Sequence, residues 1–590
     1  MTWAARARYA LLGLSAAAFG GSVVFLAVVL LQAADGPGSV ASAGQGPTPG
    51  SGGPSLPAAG RANTILFTGP LPRTLEGDPR FVTAGALSPD LTFAVGPQSG
   101  VTPVATRYWV PVAAFGSGID ALTSTQLRAL LAPGGTATWD SVGGIGGHPC
   151  LLVPNVPADL PGLAAMLGFD PAPNVEGYEQ LLAELANPAG DGLAFVPLDR
   201  LQLGGIAVAI DGLDLVRGSG DAGAWPFVER ASVVARTPAG TAVLKATAEK
   251  MAAPVPVVTR IVATGDILQS RCSLSRIMAT GDWAGALRGP VGDYLAAADL
   301  ALGSLDGSIQ DVNPPFLCVA GTNLSSPPEV MAALTYAGFD GLTVATNHVF
   351  DCGREYCGSR AFLQTLERLH AGDIKTVGGG RDLSEALAPA IFEVHGIRIG
   401  VLGFDDVAAM DLGAEAASPG TAPLDDDYSQ ERAAGEPAFY RPAAELGIER
   451  FTAAIRALRP QVDVVILQVQ TGTEDTHTPT GRSIKALRAA ADAGADVVVG
   501  NQAHWVQAAE VRGGAFVAYA LGNFIFDQVH TPEHTQGYLL EATLHGRTLV
   551  TVRLVPYQIE NQYRPAFLTG SPRLKVLRDV LKASHELPAN

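Results

Sequence analysis

SPPEVMAALTYAGFDGLTVATNHVFDCG, residues 326–353, is the stretch whose reading decides the fold. It opens on a helical pattern that stops at Ala-Gly, the usual end of a helix that turns into a strand. GLTVAT follows as a short apolar strand, and Asn347 and His348 stand where that strand stops. Helix, glycine, strand and polar terminus together are the repeating unit of an α/β fold.

The same unit recurs outward in both directions, from TRIVATGD (259–266) to about residue 560. RIVAT, LALGS, IRIGVLGF, DVVILQV, ADVVVG and FVAYAL read as further strands. GSRAFLQTLERLHAG and TGRSIKALRAAADAG read as helices between them. The strands end on chemistry. Asp266 closes IVATGD, Asp306 follows LALGSL, Gln470 and Glu474 follow VVILQV, His504 follows DVVVG, and Asn523 follows FVAYAL. Ligands of α/β folds sit at the carboxyl ends of strands, so these side chains are expected to meet in one crevice. Carboxylate, imidazole and amide together are the ligand set of Mn, Fe or Zn, ions that activate water for phosphoester hydrolysis singly or in pairs. Singly, each residue has a plainer explanation, such as an Asp that only caps a helix.

TGDILQSR (264–271), ADLALGSLDG (298–307), the stretch quoted above, GADVVVGNQAHWVQ (494–507) and YALGNFIFDQ (519–528) together resemble the poly-γ-glutamate capsule-synthesis (CapA) family. The resemblance runs over about 259–530. It implies a calcineurin-like metallophosphoesterase sandwich, two β-sheets flanked by helices, and a role in making or handling anionic surface polymer. It also implies metal-site positions for Asp266, Asn347, His348 and His504, with Asp306 where the family usually has Glu and Asn523 in the closing LGNF motif. Arg271 is expected at the pocket edge, and His348, Glu474 and His504 are the candidate catalytic groups. The family pattern has histidine at the positions of Gln470 and Gln502. An amide oxygen is a weak neutral ligand, so the implied centre of one or two ions is expected to bind less tightly here. Replacement ligands from His477, His530 or His534 are less expected than solvated loop histidines, and Asp475 reads equally as a surface acid.

Upstream, 62–255 has a smaller α/β texture. ILFTG, DLTFAVG, RYWVPVAAF and GLAFVPL read as strands, and TSTQLRALLA, DLPGLAAMLG and GYEQLLAELA as helices. In pattern and order this region resembles periplasmic solute-binding domains, which implies a two-lobed fold with a cleft. The glycine runs VGGIGGH (142–148) and VGGGRD (377–382) are expected to be turns rather than anion cradles. Residues 36–61 are mostly Gly, Pro, Ser and Ala, a flexible linker by composition. The larger domain is expected over 256–560, with a helical tail over 561–590.

No charged residue occurs from Tyr9 to Ala34, and Arg6 and Arg8 precede that run. A transmembrane helix needs about 20 apolar residues, so residues 1–35 are expected to form a single membrane anchor with its tip inside and the bulk of the chain extracytoplasmic. A cleaved signal peptide is the rival reading, though secretory apolar cores usually run about 7–15 residues. Cys352 and Cys357 are spaced to close a short loop. Cys272 and Cys318 are a possible second pair that leaves Cys150 odd, and disulfides fit an oxidising compartment. With 39 Lys and Arg against 56 Asp and Glu, the net charge is −17 and no basic stripe is present, which argues against nucleic acid as a partner. Two functions remain: a cell-envelope hydrolase acting on a phosphoester or anionic polymer, or a non-catalytic surface binding or assembly protein with a degenerate metal site.

Overall fold

The computed structural model describes residues 64–311, 324–352, 357–407, 412–427 and 442–589, apart from Pro97 and Gly100, together with Cys318 and Gly321. The expected anchor and the linker lie outside the described residues. Among those described, no helix is long and apolar enough to cross a membrane.

The larger unit is built from two mixed sheets laid face to face. In the first, the strands run in the order Lys375–Val377, Gly341–Thr343, Leu300–Leu305, Val258–Ile267, Gln536–His545, Thr548–Glu560, Arg564–Phe567. The first four are parallel and the remainder antiparallel. The second sheet runs Ala390–Val394, Ile397–Asp405, Val464–Gln470, Val497–Asn501, Ala515–Ala518, Ala509–Arg512, with its central strands parallel. The residues of Val464–Gln470 are all buried, as a strand covered on both faces requires.

Three apolar layers hold this arrangement. Ile261, Ala263 and Leu302 of one sheet meet Ile399, Ile466, Val499 and Phe516 of the other in the central core. Helices Arg271–Thr280, Pro290–Ala296 and Arg360–Ala371 cover the outer face of the first sheet through Leu274, Leu295, Phe362 and Leu366. Helices Glu449–Leu458 and Gly481–Asp492 cover the second through Phe451, Ile455 and Leu487. The result is a helix–sheet–sheet–helix sandwich, the layering set out above for this part of the chain. The first sheet continues past 560 to Phe567, and helix Gly570–His585 buries Val576, Leu577 and Val580 in the central core.

The smaller unit is an eight-stranded sheet in which Val104–Ala113 and Val228–Ala235 are the two central, antiparallel strands. Helix Ser124–Leu131 starts at a capping box between Thr123 and Gln126, which explains why TSTQ stops the preceding strand. Residues 142–148 form turns, as the glycine run predicts. The two units are joined by packed contacts. Leu203 N donates to Leu549 O at 3.1 Å, Ala207 N to Thr551 Oγ1 at 3.0 Å, and Phe115 meets Phe516 edge to face at 5.7 Å between ring centres. Beside them Arg217 of the smaller unit, with Arg260 and Arg553, surrounds the fully buried Glu541 carboxylate. These arginines hold Glu541 down to about 2 although burial pushes it the other way.

Disulfides join Cys272 to Cys318 and Cys352 to Cys357, and Cys150 is free and exposed.

Candidate active site

Parallel strands put their carboxyl ends on one rim, and the residues predicted from strand ends converge there. Asp266 ends the central strand of the first sheet, and its backbone is in register with Asn523 of the short strand Asn523–Ile525. This close pairing depends on Gly265. A Cβ there would stand 1.7 Å from the Gly522 carbonyl oxygen, so no other residue fits without moving the strands apart. Across the rim, the Gln502 N–H donates to Asp266 Oδ2 at 3.4 Å, so the two sheets meet at the site itself.

His504 stands at the centre. Its Nδ1 lies 2.8 Å from Asn523 Oδ1 and 3.5 Å from Asp266 Oδ2, and its Nε2 lies 3.9 Å from Glu474 Oε1. Asn523 uses its amide N–H groups on Gln528 Oε1 and His534 O, so its oxygen faces the ring and Nδ1 donates. Burial disfavours charge on this imidazole, but the Asp266 carboxylate, with Asp306 and Glu474, outweighs it and lifts His504 to about 9. Asp306 is fully buried, and burial pushes it up to about 6. That value is the balance of burial against the pull of His348 and His504, with the Asp266 charge adding to burial. His348 Nδ1 lies 2.8 Å from Asp351 Oδ2, a contact that raises its basicity against the cost of burial.

The amides form a chain along the rim. Gln470 Nε2 donates to Gln502 Oε1 at 2.6 Å and to Asn347 Oδ1 at 3.4 Å, and Gln502 Nε2 donates to Glu474 Oε1 at 3.1 Å. The two glutamines that stand where the resemblance implies histidines therefore differ. Gln502 has committed its oxygen to Gln470, whereas Gln470 Oε1 remains without a partner.

Three observations bear on whether these residues suit a cation. Among the described residues, Asp266 Oδ1 and both carboxylate oxygens of Asp306 are buried with no hydrogen-bond partner, like Gln470 Oε1. Buried carboxylate oxygens are costly unless something positive or a donor reaches them. Gln502 and His504 also hold left-handed backbone at φ 97° and 59°, strain that non-glycine residues keep where the surroundings over-determine them, often at functional sites. On the other side, no group of three or more His, Cys, Asp or Glu side chains among the described residues is arranged as it stands to hold a metal ion. The unsatisfied oxygens belong partly to an amide, and His504 and His348 are engaged with Asn523 and Asp351. Orphaned buried oxygens are the stronger signal, and the residues fit a hard, oxygen-preferring ion better than zinc.

Arg271 sits at the edge. It pairs with Asp527, donates to Gly321 O at 2.5 Å, and lies 5.7 Å over Phe526, whose ring centre is 4.9 Å from His504. Glu474 is half exposed at the mouth. Asp351, which holds His348, escaped the strand-end reading because it comes eight residues after the strand Gly341–Thr343 has ended. Asp527, which holds Arg271, escaped it for a similar reason. The histidines expected on solvated loops divide. His530 is exposed, but His534 is buried and 2.6 Å from Asp475 Oδ1, and His477 is half-buried with Nδ1 2.6 Å from Val506 O. Packing against Trp505 places both of these rings.

An α/β sandwich with a buried carboxylate–imidazole–amide rim is the class that fold and site define. Within it, residues 260–528 match the family described as "Bacterial capsule synthesis protein PGA_cap". The chain is 30% identical over 207 residues to "PGA biosynthesis protein CapA" of Bacillus subtilis (strain 168), covering 35% of this chain and 47% of that one. It is 24% identical over 294 residues to "Capsule biosynthesis protein CapA" of Bacillus anthracis, covering 50% and 66%. The matches thus span about half to two-thirds of those relatives. Among solved structures, the Haemophilus influenzae NAD nucleotidase is 16% identical with a TM-score of 0.29, covering 55% of this chain and 62% of that one. An ABC-type phosphate transport receptor from Vibrio cholerae is 13% identical with a TM-score of 0.23, covering 28% and 75%. At such scores neither likeness carries an inference.

Proposed function

We propose that this chain is a cell-envelope, metal-dependent phosphoesterase-like hydrolase of capsule synthesis, acting on a phosphoester or on anionic surface polymer. The observation that carries the reading is the set of unpartnered oxygens of Asp266, Asp306 and Gln470 beside His348 and His504. Those oxygens would hold a divalent ion such as Mn or Fe, with Asn347 and His504 completing the set and His348 beside it. When bound, such an ion polarises a phosphoryl oxygen. The chain's own residues supply the proton chemistry. The Asp351 contact fixes the His348 ring, leaving Nε2 to give a proton to the leaving oxygen. Glu474, at the mouth and half exposed, is placed to accept one from water. Arg271 offers positive charge at the edge for an anionic substrate. The apolar run at Tyr9–Ala34 and the two disulfides support an extracytoplasmic, membrane-anchored location.

A second reading, a binding or assembly protein with a degenerate centre, is favoured by one observation: Gln502 has spent its oxygen on Gln470. Metal content decides between them. Stoichiometric Mn or Fe in the purified chain, lost in Asp266→Ala and His348→Ala, with turnover of a phosphodiester panel, supports the hydrolase. A folded protein that takes up no ion and turns over nothing refutes it.

A further inference from the structure

The smaller unit carries a cavity of about 980 Å³ that no part of the hydrolase reading uses. It is remote from the rim. The smaller unit meets the sandwich where His545 Nε2 contacts Val216 O, and His545 pairs with Val258, eight residues before Asp266 on the same strand. At 3.3 Å per residue that is roughly 26 Å along the sheet.

The charge of this cavity is opposite to that of the chain. Its charged lining residues are Arg73, Arg107, Arg128 and Arg230 against Glu76 and Glu229, four positive minus two negative, or +2, in a chain of net charge −17. Glu229 is partly spent, since its Oε1 accepts from Trp109 Nε1 at 2.7 Å. Arg107 is the telling residue. Its side chain is 6% exposed, it pairs with Asp159 (shared with Arg73) and with Asp199 at 3.4 Å and lies over Trp109, yet its Nη2 has no hydrogen-bond partner among the described residues. A buried guanidinium with a spare donor in a cavity wall has unmet capacity for an anion. The rest of the wall is apolar, with Trp109, Phe195 and Phe227 inside. At its edge Val95 and Phe169 are 75% and 39% exposed, large apolar side chains left in water.

We propose that this cavity binds an organic anion, a carboxylate or phosphate-type head on an aromatic or aliphatic body, with Arg107 and Arg128 taking the head and the aromatic wall taking the body. The volume and the apolar wall speak against a bare inorganic oxyanion, which would leave most of the space empty. This site is independent of the hydrolase reading.

The test is calorimetric titration of the full chain with phenylphosphonate and phenylacetate in the presence of EDTA, so that the other site contributes no metal-dependent binding. One saturable site for at least one of the two probes is expected. Arg128→Glu, an exposed position, weakens it at least tenfold with unchanged circular dichroism, and Arg107→Met abolishes it. Asp306→Asn leaves it unchanged. Should Arg107→Met not fold, Arg128→Glu and Phe169→Asp decide. Absence of saturable binding by both probes, binding indifferent to Arg128→Glu, or inorganic phosphate binding as tightly as phenylphosphonate would each overturn the proposal.

Discussion

The rim of the sandwich is built where parallel strands stop, whereas the cavity of the smaller unit is lined from the middle of strands such as Val104–Ala113 and from helix Ser124–Leu131, and the two gather opposite charge. The rim buries Asp266, Asp306 and three amides, with acids and amide oxygens outnumbering the donors that reach them. The cavity wall gathers four arginines, one of them nine-tenths buried. Each therefore lacks what the other has in excess. On the two proposals made above, a cation would complete the rim and an anion the cavity.

Breaking the rim has the largest expected effect. His348→Ala should lower turnover of the best phosphoester substrate by about 10²–10⁴-fold, the range for removing a general acid, measured as kcat at saturating metal. Asp351→Asn, which keeps the side-chain volume but weakens its hold on His348, should cost about 10–100-fold. An equal loss in both would place the whole effect in the ring's orientation. A loss with Asp351→Asn but none with His348→Ala would show that His348 is no acid.

The seam between the two regions comes next. Glu541→Ala leaves Arg217, Arg260 and Arg553 facing one another in the interior, an expected loss of about 3–5 kcal/mol by chemical denaturation. The wild-type pH dependence follows the same contact. Glu541 is held at about 2 against 4.5 when unfolded, so its contribution is fully present above 4.5 and disappears as the pH falls toward 2. Glu541→Gln should flatten that acid limb, and an unchanged limb would locate acid sensitivity elsewhere. Phe115→Ala, which empties the aromatic contact to Phe516, should cost about 3–5 kcal/mol and loosen the smaller unit first, visible as earlier proteolysis there. The smallest effect is expected from Arg381→Ala, which removes an exposed pair with Glu385 and should change stability by about 0.3–0.5 kcal/mol.

The strand readings were legible because period and punctuation are local. RIVAT, LALGS, GLTVAT, DVVILQV and ADVVVG are apolar runs between glycine-ended helices, and each appears as a strand. The long antiparallel strands Gln536–His545 and Thr548–Glu560 went unread, since their polar residues, Glu541 and Arg553 among them, are buried at the seam and break the apolar run. Nothing in the local sequence marks Glu541 as buried, and only the three arginines brought to it from positions 217, 260 and 553 let it sit in the interior.

From its sequence alone this protein declared its larger fold, its family resemblance and the residues that would share a rim, because hydrophobic periodicity and strand-end chemistry are written over a few neighbouring positions. Folding in three dimensions settled the rest. It set Gln470's free oxygen apart from Gln502's occupied one, turned Asp351 toward His348, and left Arg107 in a cavity wall with a donor to spare. Those outcomes depend on distances between residues tens to hundreds of positions apart, which no local pattern encodes.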